Sequence, residues 1–435
     1  MKNLIVVVAA LAWSGAAAND IAISAEEQRI VEAVEANAAA AIEFLEETVN
    51  INSGTMNHEG VRAVGAVFGE ALQGAGFQTR WIDQSEVDRA GHLVAARDGG
   101  TGAKVLLIGH LDTVFPTDSP VQTFRPDGEK VWGPGVNDMK GGNVVVLYAL
   151  KALHDLDLLG DADITVFFTG DEEMTGKPVD VSRKDLIAAA KEADVALNFE
   201  GGETGSAVTS RRGASGWTLT VTGRRRHSSV IFSENVGAGA VFEAARILNA
   251  FYEELAEEKY LTFNPGVILG GTDVTYDEPA TRGTAFGKSN VVAQKVIVDG
   301  GLRFISEDQK QKARKRMREI VEKHLPHTDA EITFEDAYPA MTPTENNARL
   351  LSVFSSVSED LGYGPVEGND PAKRGAADIS FAAPHVPASM DGLGVAGGGA
   401  HTPEEYLDIA SVEDATKRAA ILIYRLTRED APKFD

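Results

Sequence analysis

KVLLIGHLDT, residues 104–113, decides how this chain is read. Lys104 to Ile108 is a short apolar run rich in branched side chains, and it stops at Gly109-His110. A run of that length bounded by glycine reads as a buried strand, with the histidine at its carboxyl end. DITVFF (163–168) runs into TGDEE, and VALNF (195–199) runs into Glu200. A helical run from Met139 to Leu153 separates the first two of these strands. Strand alternating with helix predicts an α/β fold with a central, mostly parallel sheet flanked by helices on both faces. Sheets of this kind hold their ligands beyond the carboxyl ends of the strands. His110, Glu173 and Glu200 all fall at such ends.

Upstream, Ser24 with Glu27 three residues on makes a capping box. Ile30, Val31, Val34, Ala38, Ala41, Ile42, Leu45 and Val49 follow at helical spacing, and Val61 to Leu72 reads as a second helix. The pattern changes near Ser210. WTLTVT (217–222) alternates like a half-exposed strand, 238–255 is helical, and 267–270 and 291–305 read as strands. A charged helix over 307–324 and an alternating strand over 330–334 follow. Together they make a small sheet carrying two helices, a compact unit in its own right. The reading is therefore a catalytic domain, 19–209 and 338–435, interrupted by a smaller α+β domain, 210–337. The length of 435 residues suits two domains.

The net charge of -24 argues against nucleic acid and anionic membrane surfaces as partners. The basic residues of the 307–324 helix are interleaved with glutamates and read as a solvated face. The absence of cysteine removes disulfides, thiolate zinc sites and cysteine nucleophiles from consideration. Lys2, the apolar run Leu4 to Trp13 and then Ala16-Ala17-Ala18 read as a signal peptide over 1–18. That run is too short for a membrane-spanning helix, which needs about 20 residues. The expected location is periplasmic or secreted.

Five side chains stand out as metal ligands: His110, Asp138 in GPGVNDMKGG, Glu173 in TGDEEMTG, Glu200 in NFEGG, and His401 in GGGAHTPEEY. Two imidazoles and three carboxylates suit two zinc ions, with cobalt or manganese as substitutes. Such a pair polarises a carbonyl and activates a water. Asp112, two residues beyond His110, is placed to accept a hydrogen bond from the ring nitrogen that does not hold metal. Glu172 and Glu173 are adjacent, so their side chains diverge, and Glu172 is left free to act as general base. Taken singly, His-x-Asp, an acidic DEE run and glycine clusters are ordinary turn sequence. Their joint occurrence at strand ends carries the argument.

These segments resemble the dizinc exopeptidases and deacylases that include glutamate carboxypeptidase, aminoacylase, acetylornithine deacetylase and succinyl-diaminopimelate desuccinylase. The resemblance spans the whole chain after the signal. It implies that Asp138 bridges two ions, with His110 and Glu200 completing one site and Glu173 and His401 the other. Glu172 is then the general acid/base, Asp112 orients His110, and a cis peptide follows Asp138. The inserted domain corresponds to a lid that also forms a homodimer. It carries His227 in VTGRRRHSS as an oxyanion stabiliser from the partner subunit, with Asn290 and Arg303 for substrate, the arginine on a terminal carboxylate. Two departures stand out: Arg225 and Arg226 precede His227 where the family has small residues, and Tyr338 stands near the place of a further substrate arginine. The expected reaction is release of a C-terminal amino acid from a peptide or N-acyl amino acid. An aminoacylase, a dipeptidase and a non-catalytic binding protein on the same fold are the alternatives.

Overall fold

The computed structural model describes residues 23–277 and 280–434. The expected signal peptide, 1–18, lies outside the described residues. The first helix, Ala25–Val49, begins where the sequence places it. Ser24 Oγ accepts from the Glu27 amide (3.2 Å), and the Glu27 carboxylate accepts from the Ser24 amide (2.7 Å). Its apolar stripe, Ile30, Val31, Val34, Ala41, Leu45 and Val49, is buried. The helix Gly141–Asp155 is buried almost all round, being packed between Ala25–Val49 and Ala410–Leu426 on one side and the sheet on the other.

The central sheet has six strands, in the order Gln78–Gln84, Arg89–Arg97, Ala162–Thr169, Thr101–His110, Val195–Asn198, Ala388–Met390. The last four run parallel; the first two are antiparallel at one edge. In Thr101–His110, Val105 and Leu107 face one core, and Leu106 and Ile108 face the other. That alternation is the period-2 geometry of a strand covered on both faces. The edge strands 78–97 were not legible as strands, because 78–84 is polar without clean alternation.

The inserted domain is a four-stranded antiparallel sheet, in the order Thr262–Gly271, Lys295–Phe304, Gly213–Gly223, Thr328–Tyr338. Gly239–Leu255 and Glu307–Val321 cover one face, around Trp217, Leu219, Ile247, Phe251, Val298, Phe304 and Met317. The strand expected from Val291 begins only at Lys295; Val291 makes a single bridge, to His227. A hairpin, Asp273–Asp277 with Arg282–Phe286, was not foreseen. In the basic helix, Lys312 pairs with Asp308 in solvent, as a solvated face would. Lys310 and Arg314 differ: they are buried and both pair with Asp336. No helix among the described residues is long and apolar enough to cross a membrane.

Candidate metal centre

Parallel register brings three loops together at one edge of the central sheet. His110 ends its strand opposite Thr169, and Ile108 pairs with Asn198. The segments carrying Glu172-Glu173 and Glu200 therefore leave the sheet on either side of His110. Asn143 on the following helix donates to the His110 carbonyl (2.6 Å) and fixes the strand end.

A small sheet supplies the other two residues. Lys130–Trp132 pairs with Tyr406–Asp408, so the glycine loop leading to Asp138 lies beside the turn carrying His401. Glu405 locks that contact. Its buried carboxylate accepts from the amides of Gly135 (3.0 Å), Asn137 (2.9 Å) and Asp138 (2.9 Å). Burial pushes the Glu405 carboxyl up to about 7 against the pull of these three donors. Asp138 is followed by a cis peptide, as the resemblance implied, and the regular helix starts at Gly141. His401 adopts φ 65°, the left-handed region that a residue with a side chain occupies only where its surroundings hold it there.

The five expected ligands converge. His110 Nε2 lies 3.2 Å from Asp138 Oδ1 and 3.7 Å from Glu200 Oε1. His401 Nε2 lies 3.2 Å from Asp138 Oδ2 and 3.1 Å from Glu173 Oε2. Each Asp138 oxygen thus faces its own histidine–carboxylate pair. The ligand atoms of His110, Glu172 and Glu200 also lie within 4.8 Å of one another, as do those of His110, Asp138 and Glu173. Glu172 and Glu173 diverge as expected, Glu173 toward His401 and Glu172 toward His110 and Glu200.

Asp112 meets the His110 ring through two groups: its main-chain carbonyl lies 2.9 Å from Nδ1 and its carboxylate 3.5 Å away. The carboxylate also accepts from Thr55 Oγ1 (2.6 Å) and from the amides of Glu172 (3.0 Å) and Glu173 (3.2 Å). One residue sets the imidazole and, through its side chain, the two glutamates.

Behind this loop lies a buried ionic lattice. Arg183, fully buried, pairs with Asp171 (2.5 Å) and Asp378 (2.8 Å). It also donates to the Asp171 carbonyl (3.1 Å) and to Thr175 Oγ1 (3.3 Å). Tyr338, at the end of the last inserted strand, donates to the Glu172 carbonyl (3.2 Å) and meets Thr175 Oγ1 (2.7 Å). Sequence reasoning missed Glu405 and Arg183. The doubled glutamate in TPEEY was a signal for the first; Arg183 is surrounded by unremarkable helical sequence.

The electrostatics are those of an anionic nest. Burial opposes ionisation of Glu172 and holds its carboxyl well above the usual range. Burial and then repulsion from Asp138 push Glu200 up to about 8. Burial alone would keep His110 neutral, yet the carboxylates around it raise its pKa well above the ordinary histidine value. Hydrogen bonds to Asp138 and Glu173 push His401 up to about 11. Protons are being drawn to stand where positive charge is wanted. Glu173 Oε1 is buried with no hydrogen-bond partner. A buried carboxylate with one oxygen on His401 and the other orphaned fits a divalent cation, and the nitrogen and oxygen donor set suits a borderline metal.

The residues expected from the inserted domain are not part of this cluster. His227 is exposed and contacts Ser229 Oγ (2.8 Å); exposed Asn290 accepts from the Ser228 amide through its carbonyl (2.9 Å). Arg303 is exposed on its strand, across from Thr262 and Ala214. Tyr338 also pairs with Ala214, so Arg303 and Tyr338 lie in one row across the sheet.

Residues 106–425 match Peptidase family M20/M25/M40, and the chain belongs to that family. It is similar to carboxypeptidase G2 of Pseudomonas sp. (strain RS-16), 28% identical over 394 residues, 89% of each chain. It is also similar to a succinyl-diaminopimelate desuccinylase of Psychrobacter sp. (strain PRwf-1), 26% identical over 334 residues, 73% of this chain and 78% of that one. The fold matches that of aminopeptidase PepT from Bacillus cereus with a TM-score of 0.70 at 16% identity, over 89% of this chain and 98% of that one. The protein is a metal-dependent hydrolase of peptides or acyl-amino acids.

Proposed function

We propose that this member of Peptidase family M20/M25/M40 uses two zinc ions to hydrolyse an amide bond, releasing a C-terminal amino acid from a peptide or N-acyl amino acid. The observation that carries the reading is Asp138: each of its carboxylate oxygens faces a separate pair, His110 with Glu200 and His401 with Glu173. In this reading two ions would be held by His110 with Glu200 and by His401 with Glu173, with Asp138 shared between them. The ions, when bound, supply Lewis acidity toward the scissile carbonyl and the attacking water.

The protein's own groups do the rest. Glu172, whose carboxylate lies beside His110 and Glu200, takes the water's proton and delivers it to the leaving nitrogen. Asp112 holds the amides of Glu172 and Glu173, so the base and a ligand keep a fixed offset. Substrate lies between the domains; Arg303 and Asn290 hold its terminal carboxylate, and His227 meets the oxyanion. His227 reaches the site from the partner subunit of a homodimer. Exposed apolar side chains on the inserted domain, Val230, Phe232, Val241, Phe242 and Ile268, support pairing through this domain. Residues 1–18 export the chain to the periplasm or beyond. A deacylase acting on N-acyl amino acids uses the same residues and differs only in the acyl side.

Metal analysis and a panel of peptides and N-acyl amino acids test the reading, with Glu172→Gln alongside. We expect two equivalents of zinc in both proteins and a fall in kcat of about 10²–10⁴-fold in the variant. Equal turnover by the two proteins would remove Glu172 from its role. At most one equivalent of metal at saturation would remove the bridge.

A further inference from the structure

The last strand of the inserted sheet, Thr328–Tyr338, ends in a bulge. Its pairing with Gly213–Gly223 keeps one register as far as Asp336, opposite Ser215; Tyr338 then faces Ala214, which leaves Ala337 as an extra residue. Ile332, Phe334 and Asp336 turn to the helices of the inserted domain. The first two pack on its core, and Asp336 Oδ1 accepts from Lys310 Nζ (3.1 Å) and pairs with Arg314. Strict alternation would send Tyr338 the same way. The extra residue turns it to the catalytic domain instead. Its ring packs against Phe381 (4.9 Å between centroids), on the core of that domain.

What the bulge delivers there is a hydroxyl. Tyr338 Oη donates to the Glu172 carbonyl (3.2 Å), so the Thr175 hydroxyl, 2.7 Å away, donates to Tyr338. Thr175 Oγ1 in turn accepts from Arg183 Nη2 (3.3 Å). The chain runs from Arg183 through Thr175 and Tyr338 to Glu172, with each donor used once. The Glu172 amide is held by the Asp112 carboxylate (3.0 Å). The two peptide groups flanking the Glu172 Cα are therefore fixed from different domains, the amide by the catalytic domain and the carbonyl by the inserted one. The Tyr338 hydroxyl is committed to these partners and does not stand in for the substrate arginine expected near its place.

We propose that Tyr338 is a positioning residue that ties Glu172 to the seat of the inserted domain. A hydrogen bond of this length is lost on a displacement of about 1 Å. Glu172 then keeps its place only while the inserted domain is seated on the loop 171–176. The inference goes beyond the hydrolysis reading above and rests on it for one point, that Glu172 is the base. Proton transfer thereby depends on the posture of the inserted domain, through the backbone of the base.

Two measurements test it. In the first, kcat and KM are compared for zinc-loaded wild type, Tyr338→Phe, Glu172→Gln and the double variant. Phenylalanine keeps the ring on Phe381 and removes only the hydroxyl. We expect Tyr338→Phe to lower kcat about fivefold to tenfold with KM changed by less than about twofold. Once Glu172 is replaced, the same substitution should cost less than about twofold. A residue acting on substrate, or on the fold alone, costs the same in both backgrounds. Thr175→Val cuts the same chain one bond earlier and should repeat the pattern; equal costs in the two backgrounds, for either folded variant, overturn the proposal. In the second, amide hydrogen exchange is followed in zinc-loaded wild type, Tyr338→Phe and Thr175→Val. The Glu172 and Glu173 amides should exchange about fivefold faster or more in the variants, with the loop 133–138 unchanged. Unaltered exchange at Glu172 and Glu173 overturns the proposal. If their exchange responds while wild type cleaves no amide, the hydrolysis reading fails and the tie to Glu172 stands. Unfolding midpoints separate a lost bond from a lost fold.

Discussion

The carboxyl edge of the central sheet and the open face of the inserted sheet both carry residues expected to act, and they hold them in opposite ways. At the sheet edge, His110, Glu172 and Glu200 are withdrawn from solvent; buried Asp112 and Asp171 fix the loop carrying Glu172, and buried Glu405 fixes the loop carrying Asp138. On the inserted domain, His227, Asn290 and Arg303 are exposed and are placed by strand register and local turns alone. Groups that share protons and metal need positions fixed to a fraction of an ångström, which buried hydrogen bonds supply. Under the proposed function, groups that meet substrate could be exchanged without disturbing that frame, with the reaction built into one region and its selectivity into the other.

The largest effect should come from the deepest part of the frame. Burial works against ionisation of Asp171, and the Arg183 guanidinium outweighs it, holding the carboxyl below the ordinary aspartate range. A lowered folded-state value means that this stability is present above the unfolded pKa of about 3.9 and is lost as pH falls through the folded one. Asp171→Asn leaves Arg183 half-compensated and is expected to cost about 3–5 kcal/mol in urea unfolding near neutral pH. The cost should shrink as pH falls from about 4 toward the lowered folded-state value, where wild type loses the same charge. A loss under 1 kcal/mol would show that the lattice does not support the loop.

Glu405→Gln comes next. The amide can accept from the loop 135–138 through its oxygen, but its nitrogen confronts an N–H that the carboxylate had satisfied. Zinc affinity should fall about 10–100-fold, read by competition with a chelator. An unchanged affinity would mean that Asp138 holds its place without Glu405. Arg303→Ala is the smallest change and the sharpest contrast. We expect KM to rise roughly tenfold, the value of a charge-assisted hydrogen bond, while zinc content and unfolding midpoint stay at wild-type values. A drop in zinc affinity in this variant would abolish the division between the two regions.

What was legible in the sequence follows the same division. The buried parallel strands announce themselves as apolar runs, and His110, Glu173 and Glu200 follow from standing at their ends. Asp138 and His401 needed the family resemblance, because the pairing of 130–132 with 406–408 joins residues far apart in the chain. The further bonds of Asp112 were not foreseen, for a local reason. Residues two apart share a side only while the strand continues, and the strand stops at His110, so the carbonyl turns to the ring and the carboxylate to the next loop. The strand at 78–84 was missed because an edge strand needs little apolar sequence, and its buried neighbour at 89–97 because Arg89, His92 and Arg97 interrupt the apolar run. Arg183 and Glu405 were missed because a buried charge is recognisable only once its partners are known.

The inserted domain joins the rest through two strand ends that lie side by side. Arg211 and Met341 exchange both backbone hydrogen bonds, Arg211 N to Met341 O at 3.0 Å and Met341 N to Arg211 O at 3.1 Å. A pair of that kind holds its Cα atoms about 5.5 Å apart. The whole of the inserted domain could therefore be replaced by a tight turn without asking either flank to move. In engineering terms the junction is a socket: an excised chain would keep all five candidate ligands and lose the Tyr338 bond to the Glu172 carbonyl, and domains of other shape could be grafted at the same two positions.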